Sequence, residues 1–314
     1  MVKRWLPWLL KGGVSIGLIA WVLSKVDLAQ AWHQAQNVDP WMLFLAIALS
    51  LAQVAVGAVR WGVVLRALSS TVGAIRVFAL YYLGVFFAIV LPGAVGGDAM
   101  RIWFCNRAGM PLSTAVNSVM LDRMATVLSL VLLVTGLEPL LLARVPALPG
   151  AWVFPFLSLA GIVGTLVLSQ LDRLPFAVSR WRLIRGLAVL AADCRRLCIR
   201  PRYGLSAVVV ALIGNVNLAL VAYALAVGLR LPVGALDCLV LIPPVILIMT
   251  LPISIAGWGV RETAMVTAFG FIGVSGNSAL VLSILFGLVT TATALPGGLF
   301  WLSGEGRRRV QAVE

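Results

Sequence analysis

The sequence predicts an all-α polytopic membrane protein, with about six to eight transmembrane helices and two helix-broken re-entrant hairpins related as an inverted repeat. Three observations lead there. Hydrophobic residues make up 61% of the chain and charged residues only 11%, with a mean hydropathy of +1.05, whereas a soluble domain carries about 25% charged residues. Apolar runs long enough to span a bilayer recur from Trp5 to Trp301. Two of these runs end in the same pattern of helix breakers, and a single integral membrane domain is expected to fill residues 1–314.

The runs occupy 5–23, 41–59, 77–95, 113–136, 151–171, 205–229, 238–256 and 277–302, with a mixed stretch at 258–274. The first begins with Lys3 and Arg4; because Lys11 interrupts it and polar residues separate it from Ala29-Gln30-Ala31, it is expected to be an uncleaved helix. The positive-inside rule places Lys3 and Arg4 in the cytoplasm, the stretch 24–40 outside, and Arg60, Arg66 and Arg76 inside again. The arginine-rich loop at 172–202, with Arg173, Arg180, Arg182, Arg185, Arg195, Arg196, Arg200 and Arg202, is expected on the cytoplasmic face near anionic headgroups.

Three runs lie between Arg76 and that loop, and an odd number of crossings cannot return to one side. The run 77–95 is the one expected not to cross. It ends in Leu91-Pro92-Gly93, followed by Gly96-Gly97-Asp98, so a hairpin should turn near Pro92 to Gly97 and return through Asp98 to Gly109. Non-helical backbone at that depth survives only when protein or a water-lined cavity surrounds it. From the arginine-rich loop to the basic tail at Arg307, Arg308 and Arg309, four crossings balance the count. So does a second hairpin, open to the outside, broken at Leu251-Pro252 and Gly257-Trp258-Gly259 and flanked by two full crossings. Both termini are placed in the cytoplasm of a bacterial-type plasma (inner) membrane.

The two breaks share L-P-x4-G-x3-R: Leu91-Pro92 leads to Gly97 and Arg101, and Leu251-Pro252 leads to Gly257 and Arg261. Hairpins entering from opposite faces would meet near the midplane, with the following helix N-termini and the two arginines presenting positive charge to an anion. A phosphate suits a guanidinium fork and free amide donors. Intramembrane charge is costly and usually functional, and here it comprises Asp98, Arg101, Arg107, Asp122, Arg123, Arg261 and Glu262. Two readings stand. Either Asp98 pairs with Arg101, Asp122 with Arg123 or another arginine, and Glu262 with Arg261, forming a structural clasp; or Arg101 and Arg261, with Arg123 as a third contact, bind a substrate phosphate while Asp98, Asp122 and Glu262 orient them, move protons or exchange partners.

Other features exclude more than they propose. The formal charge of +13 comes from arginines placed between apolar runs, so topology explains it better than nucleic-acid binding. His33, the only histidine, lies in a polar connection, and Cys105, Cys194, Cys198 and Cys238 have neither redox nor zinc spacing. Free thiols, no metal and no cofactor are expected. Trp5, Trp8, Trp41, Trp152 and Trp301 suit an interfacial belt, and Asn215 and Asn217 suit either a cavity or hydrogen bonding between helices.

The motifs G-G-D-x-x-R (Gly96 to Arg101), L-D-R (Leu121 to Arg123) and P-x-S-x-x-G-x-G-x-R-E (Pro252 to Glu262), with Gly109 and Ala115 between the first two, resemble a known family. It is the flippase-like family named for the transmembrane region of lysylphosphatidylglycerol synthetase, and the similarity covers essentially the whole chain. In the full-length synthetase this region precedes a soluble aminoacyl-transferring domain and is associated with moving the modified phospholipid between leaflets. This chain ends at Glu314, and no transferase domain is expected. The resemblance implies translocation of a lipid or lipid-linked molecule, with membrane lipids of anionic headgroup and a lipid-biosynthesis enzyme as expected partners. A membrane-embedded enzyme acting on lipid phosphates and a non-transporting anchor for a lipid-modifying enzyme are the alternatives.

Overall fold

Charge that must stay in an apolar medium needs helices on every side, and the described residues supply ten of them with no strand. The structure, a computed structural model, describes residues 36–70, 72–91, 96–145, 152–170, 182–250 and 259–302. The first apolar run, His33, the break residues Pro92, Pro252 and Gly257, and the basic tail lie outside these residues. The helices are α1 (Pro40–Ala67), α2 (Ala74–Val90), α3 (Gly96–Arg107), α4 (Leu112–Arg144), α5 (Val153–Gln170), α6 (Arg182–Ile199), α7 (Pro201–Gly228), α8 (Ala235–Met249), α9 (Val260–Gly270) and α10 (Gly276–Leu302).

Five of these, α1, α4, α5, α7 and α10, are long and apolar enough to cross a membrane, and α2 and α8 are shorter apolar helices. The protein is thus an integral membrane protein of all-α class. At about 1.5 Å per residue, α3 and α9 extend roughly 18 and 16 Å, well short of a hydrocarbon core of about 30 Å. The exterior is apolar where a soluble protein would be polar. On α5 the buried side chains are Ser158 and Ser169, while Phe156, Leu159, Leu166 and Val167 face outward. Ser158 meets Thr135 of α4, oxygen to oxygen, at 2.7 Å, which satisfies both hydroxyls away from lipid.

The arginine-rich connection contains a helix, α6. Leu187, Leu190, Ala191, Cys194 and Leu197 recur at helical spacing, and Ala191, Cys194 and Leu197 are buried where α6 packs on α5 and α7. Asn117 of α4 donates to Asp193 at 2.6 Å and fixes this helix to the bundle.

Local signals set the helix ends. Asp39 caps α1 by accepting from the Trp41 N–H at 2.8 Å, and Pro40 and Pro201 open α1 and α7 at positions that need no N–H donor. α1 ends at Ser69 with φ 60, closed by a Ser70 N–H to Leu65 carbonyl bond; α7 ends at Arg230 with φ 55, closed by Leu231 to Ala226. α3 turns into α4 through Gly109 at φ 86 with Met110 donating to Cys105, and α9 turns into α10 through Gly273 at φ 81 with Val274 donating to Phe269. The first two turns are 161 positions apart and the second two 164, the same separations as the helix starts at Pro40 and Pro201 and at Leu112 and Gly276.

Packing follows the same correspondence. α1 packs on α2 as α7 does on α8, α2 on α3 as α8 on α9, and α3 on α4 as α9 on α10. Across the halves, α2 packs on α10 as α8 does on α4, and α1 on α10 as α7 on α4. α1 and α7 pack along each other and run antiparallel. The Asp39 N–H at the start of α1 donates to the Gly228 carbonyl at the end of α7, 3.0 Å away, and midway Asn217 donates to the Leu49 carbonyl and to Gln53, each at 2.9 Å. Asn215 donates to Ser129 of α4 at 3.1 Å, so both amides expected on this helix bond to neighbouring helices.

Two measurements follow from this arrangement. A Cβ on Gly228 would lie 3.0 Å from that of Met42, so in a background lacking native cysteines Met42→Cys with Gly228→Cys should cross-link under mild oxidation, and Met42→Cys with Ser206→Cys should not. All four native cysteines are free, and Cys198 is the exposed one; its hydrogen bond with Cys194 pulls its thiol down to about 7. Maleimide should therefore label Cys198 first at pH 7, at a rate that falls as pH drops and the thiolate protonates.

Candidate functional site

The first helix pair brings an arginine to the centre of the bundle because two glycines let it pass. α3 doubles back along α2, and a Cβ on Gly97 would collide with the Gly84 carbonyl. A Cβ on Gly84 would in turn occupy the space of the Arg101 stem. The two small positions allow backbone contact and leave a channel through which Arg101 extends toward α1 and α4.

There it meets two carboxylates. Arg101 donates to Asp122 at 3.0 Å through one terminal nitrogen and to Asp98 at 2.7 Å through the other. Its guanidinium carbon lies 5.1 Å from the ring centres of both Trp61 and Tyr81, an aromatic seat that favours a cation. Asp122 also takes two bonds from Arg60 of α1, at 2.7 and 3.3 Å, and Asp98 takes two from Arg123, at 2.7 and 3.1 Å. Trp61 is held in place by donating to Ser118 at 3.3 Å.

Three guanidiniums and two carboxylates thus form one chain, Arg60–Asp122–Arg101–Asp98–Arg123, with one surplus positive charge. Its burial is graded. The Arg101 and Asp122 side chains are 5% and 1% exposed, Asp98 is 13% exposed, and Arg123 is 52% exposed. One end of the network is sealed and the other is reachable.

Among the described residues, the second cluster is smaller and pairs one arginine with one carboxylate. Glu262 caps α9 by accepting from the Gly259 N–H at 2.6 Å, a turn that places Gly259 at φ 87 where a side chain would be strained. The other Glu262 oxygen accepts from Arg261, whose Nε also donates to Ser283 of α10 at 3.3 Å. The Arg261 guanidinium lies against Gly287, where a Cβ would overlap it. Arg261 and Glu262 are 4% and 3% exposed.

Of the residues singled out in the sequence, Asp98, Arg101, Asp122 and Arg123 meet in one network, and Arg261 and Glu262 in another. Gly96 and Gly97 open α3, and Gly259 caps α9. Asp122 does not pair with its neighbour Arg123, because successive helix residues point about 100° apart; Asp122 faces α1 while Arg123 reaches along α4 to Asp98. Arg107 lies over Trp103 at 5.1 Å, away from both clusters. Arg60, expected on the cytoplasmic side from its charge, is buried within α1, which continues to Ala67. The signal lay in the helical spacing of Gly57, Arg60, Trp61 and Val64, all buried on one face.

Among the described residues, no group of three or more His, Cys, Asp or Glu side chains could hold a metal ion. An apolar cavity of about 380 Å³ lies beside the second cluster, lined by Leu141, Phe154, Pro244, Ile248, Thr263 and Phe271.

Removing one partner of a buried ion pair leaves an uncompensated charge at a cost of about 3–5 kcal/mol. Asp122→Ala takes the carboxylate from Arg60 and leaves Arg101 with Asp98 alone, so its melting midpoint in detergent should fall furthest. Arg123→Ala removes a half-exposed partner and should cost no more than about 1 kcal/mol.

No curated protein matches the chain. A family profile described as the lysylphosphatidylglycerol synthase TM region matches residues 8–298, and the chain belongs to that family.

Proposed function

We propose that the protein moves a lipid or lipid-linked molecule with an anionic headgroup between the leaflets of its membrane. The observation that carries this reading is the pair of short helices, α3 and α9, each too short to span and each burying an arginine with a carboxylate at corresponding places in two matched halves. Membership of a family tied by name to a phospholipid synthase supports a lipid substrate.

In this reading the matched halves are an inverted repeat, the antiparallel run of α1 and α7 marks its axis, and the α2–α3 and α8–α9 pairs are re-entrant hairpins opening to opposite faces. The headgroup passes between the hairpins while the acyl chains stay in the bilayer or enter the apolar cavity beside α8 and α9. Arg101 and Arg261 set the positive field along the path. Asp98, Asp122 and Glu262 keep these arginines oriented when no substrate is present, since an unpaired guanidinium in hydrocarbon would be costly.

The test is transport in liposomes reconstituted with the full chain, following loss of a fluorescent anionic phospholipid from the protected leaflet. Arg101→Lys and Arg261→Lys keep the charge and lose the two-pronged fork, so each should slow transport at least about tenfold while the protein remains inserted. Wild-type rates in both variants would overturn the reading.

A further inference from the structure

We infer that Asp98 occupies the place of the substrate's anion, and that a phosphodiester headgroup displaces it from Arg123 when it binds. The inference rests on the translocator reading and names which of the two clusters takes the headgroup and how.

The two clusters cannot play equal parts. At the second, among the described residues, Glu262 is the carboxylate paired with Arg261, and it is committed to capping α9 through the Gly259 N–H. Exchanging Glu262 for a substrate anion would uncap the helix. At the first, Asp122 is sealed between Arg60 and Arg101, whereas Asp98 is shared by two arginines at the accessible end of the network. Positions of the first cluster also lack charged counterparts in the second half: 161 residues after Arg60, Trp61 and Tyr81 stand Val221, Ala222 and Ile242. Binding charge is concentrated in the first half.

The geometry around Asp98 suits an anion. Arg123 presents two parallel N–H donors to its two oxygens, and Arg101 adds a third bond to one of them. That is the fork a phosphate takes. The network carries one surplus positive charge with Asp98 in place, so a phosphodiester, with one negative charge, brings it to neutrality when it takes Arg123 and Asp98 stays on Arg101. Arg123 can turn because half of its side chain is exposed, and Arg101 keeps Asp122 as its second partner throughout. Asp98 therefore prevents loose anions from settling on the pair and gives Arg123 up to a headgroup that also brings apolar chains.

Binding to the full chain in detergent, read by thermophoresis, tests this directly with two probes: dihexanoyl phosphatidylglycerol and inorganic phosphate. Asp98→Asn removes the competing charge at nearly constant shape and should bind the lipid about tenfold tighter than wild type, while Arg123→Gln should bind about tenfold more weakly. Arg123→Lys, keeping charge without the fork, should fall between Arg123→Gln and wild type. Lipid affinity in Asp98→Asn no tighter than wild type, or unchanged affinity in Arg123→Gln, overturns the inference. Inorganic phosphate binding as tightly as the lipid overturns the headgroup as its source. Because binding is read without transport, wild-type transport with no affinity change in Asp98→Asn defeats this inference alone, and the affinity changes without transport of any lipid defeat the translocator reading alone.

Discussion

A carboxylate at the centre of an apolar bundle is tolerable only if cations surround it, and Asp122 sets that condition for the first half of the protein. Its two oxygens accept from Arg60 of α1 and Arg101 of α3, so three helices are held at one point by charges that none could bury alone. In a medium of low dielectric each stranded charge would cost several kcal/mol, and even the paired arrangement gives up much of its Coulomb gain to desolvation. The yield of such a centre is therefore arrangement more than stability. The aromatic seat of Trp61 and Tyr81, the small residues Gly84 and Gly97, and the turn at Gly109 all follow from bringing Arg101 to that carboxylate.

The second half solves the same packing problem with less charge. Its turns repeat those of the first at Arg230 and Gly273, and its helices pair in the same order, yet Arg261 is satisfied by its own neighbour Glu262 and by a hydroxyl on α10. Among the described residues, one half carries a five-member charged network with an accessible end and the other a buried arginine–glutamate pair. This difference favours a division of labour within the proposed inverted repeat, with one hairpin recognising and the other supporting.

Much of this was legible in the sequence, and the parts that were not have physical causes. Apolar runs gave the long helices because hydropathy alone decides what can lie in lipid. Arg101 and Arg261 stood out because the helix breakers before them are shared. Arg60 did not, because a topology count reads an arginine at the end of an apolar run only for its side of the membrane, while its partner Asp122 lies 62 positions away. The split between Asp122 and Arg123 depends on the angular step of a helix, and adjacency in sequence disguises it. The amphipathic α6 was hidden among arginines that read as a loop. The correspondence of Ser69 with Arg230 lies in backbone angle, and no shared side chain announces it.

The network also bears on how the chain is made. All five of its charged residues lie between positions 60 and 123, so its ion pairs can form as soon as α4 leaves the ribosome. α2, by contrast, is covered on one side by α10, the last helix to be synthesised among those described. During biogenesis the charged centre can close early while the flank of the first hairpin stays open, and an insertase or chaperone that shelters that flank would be needed only until α10 arrives.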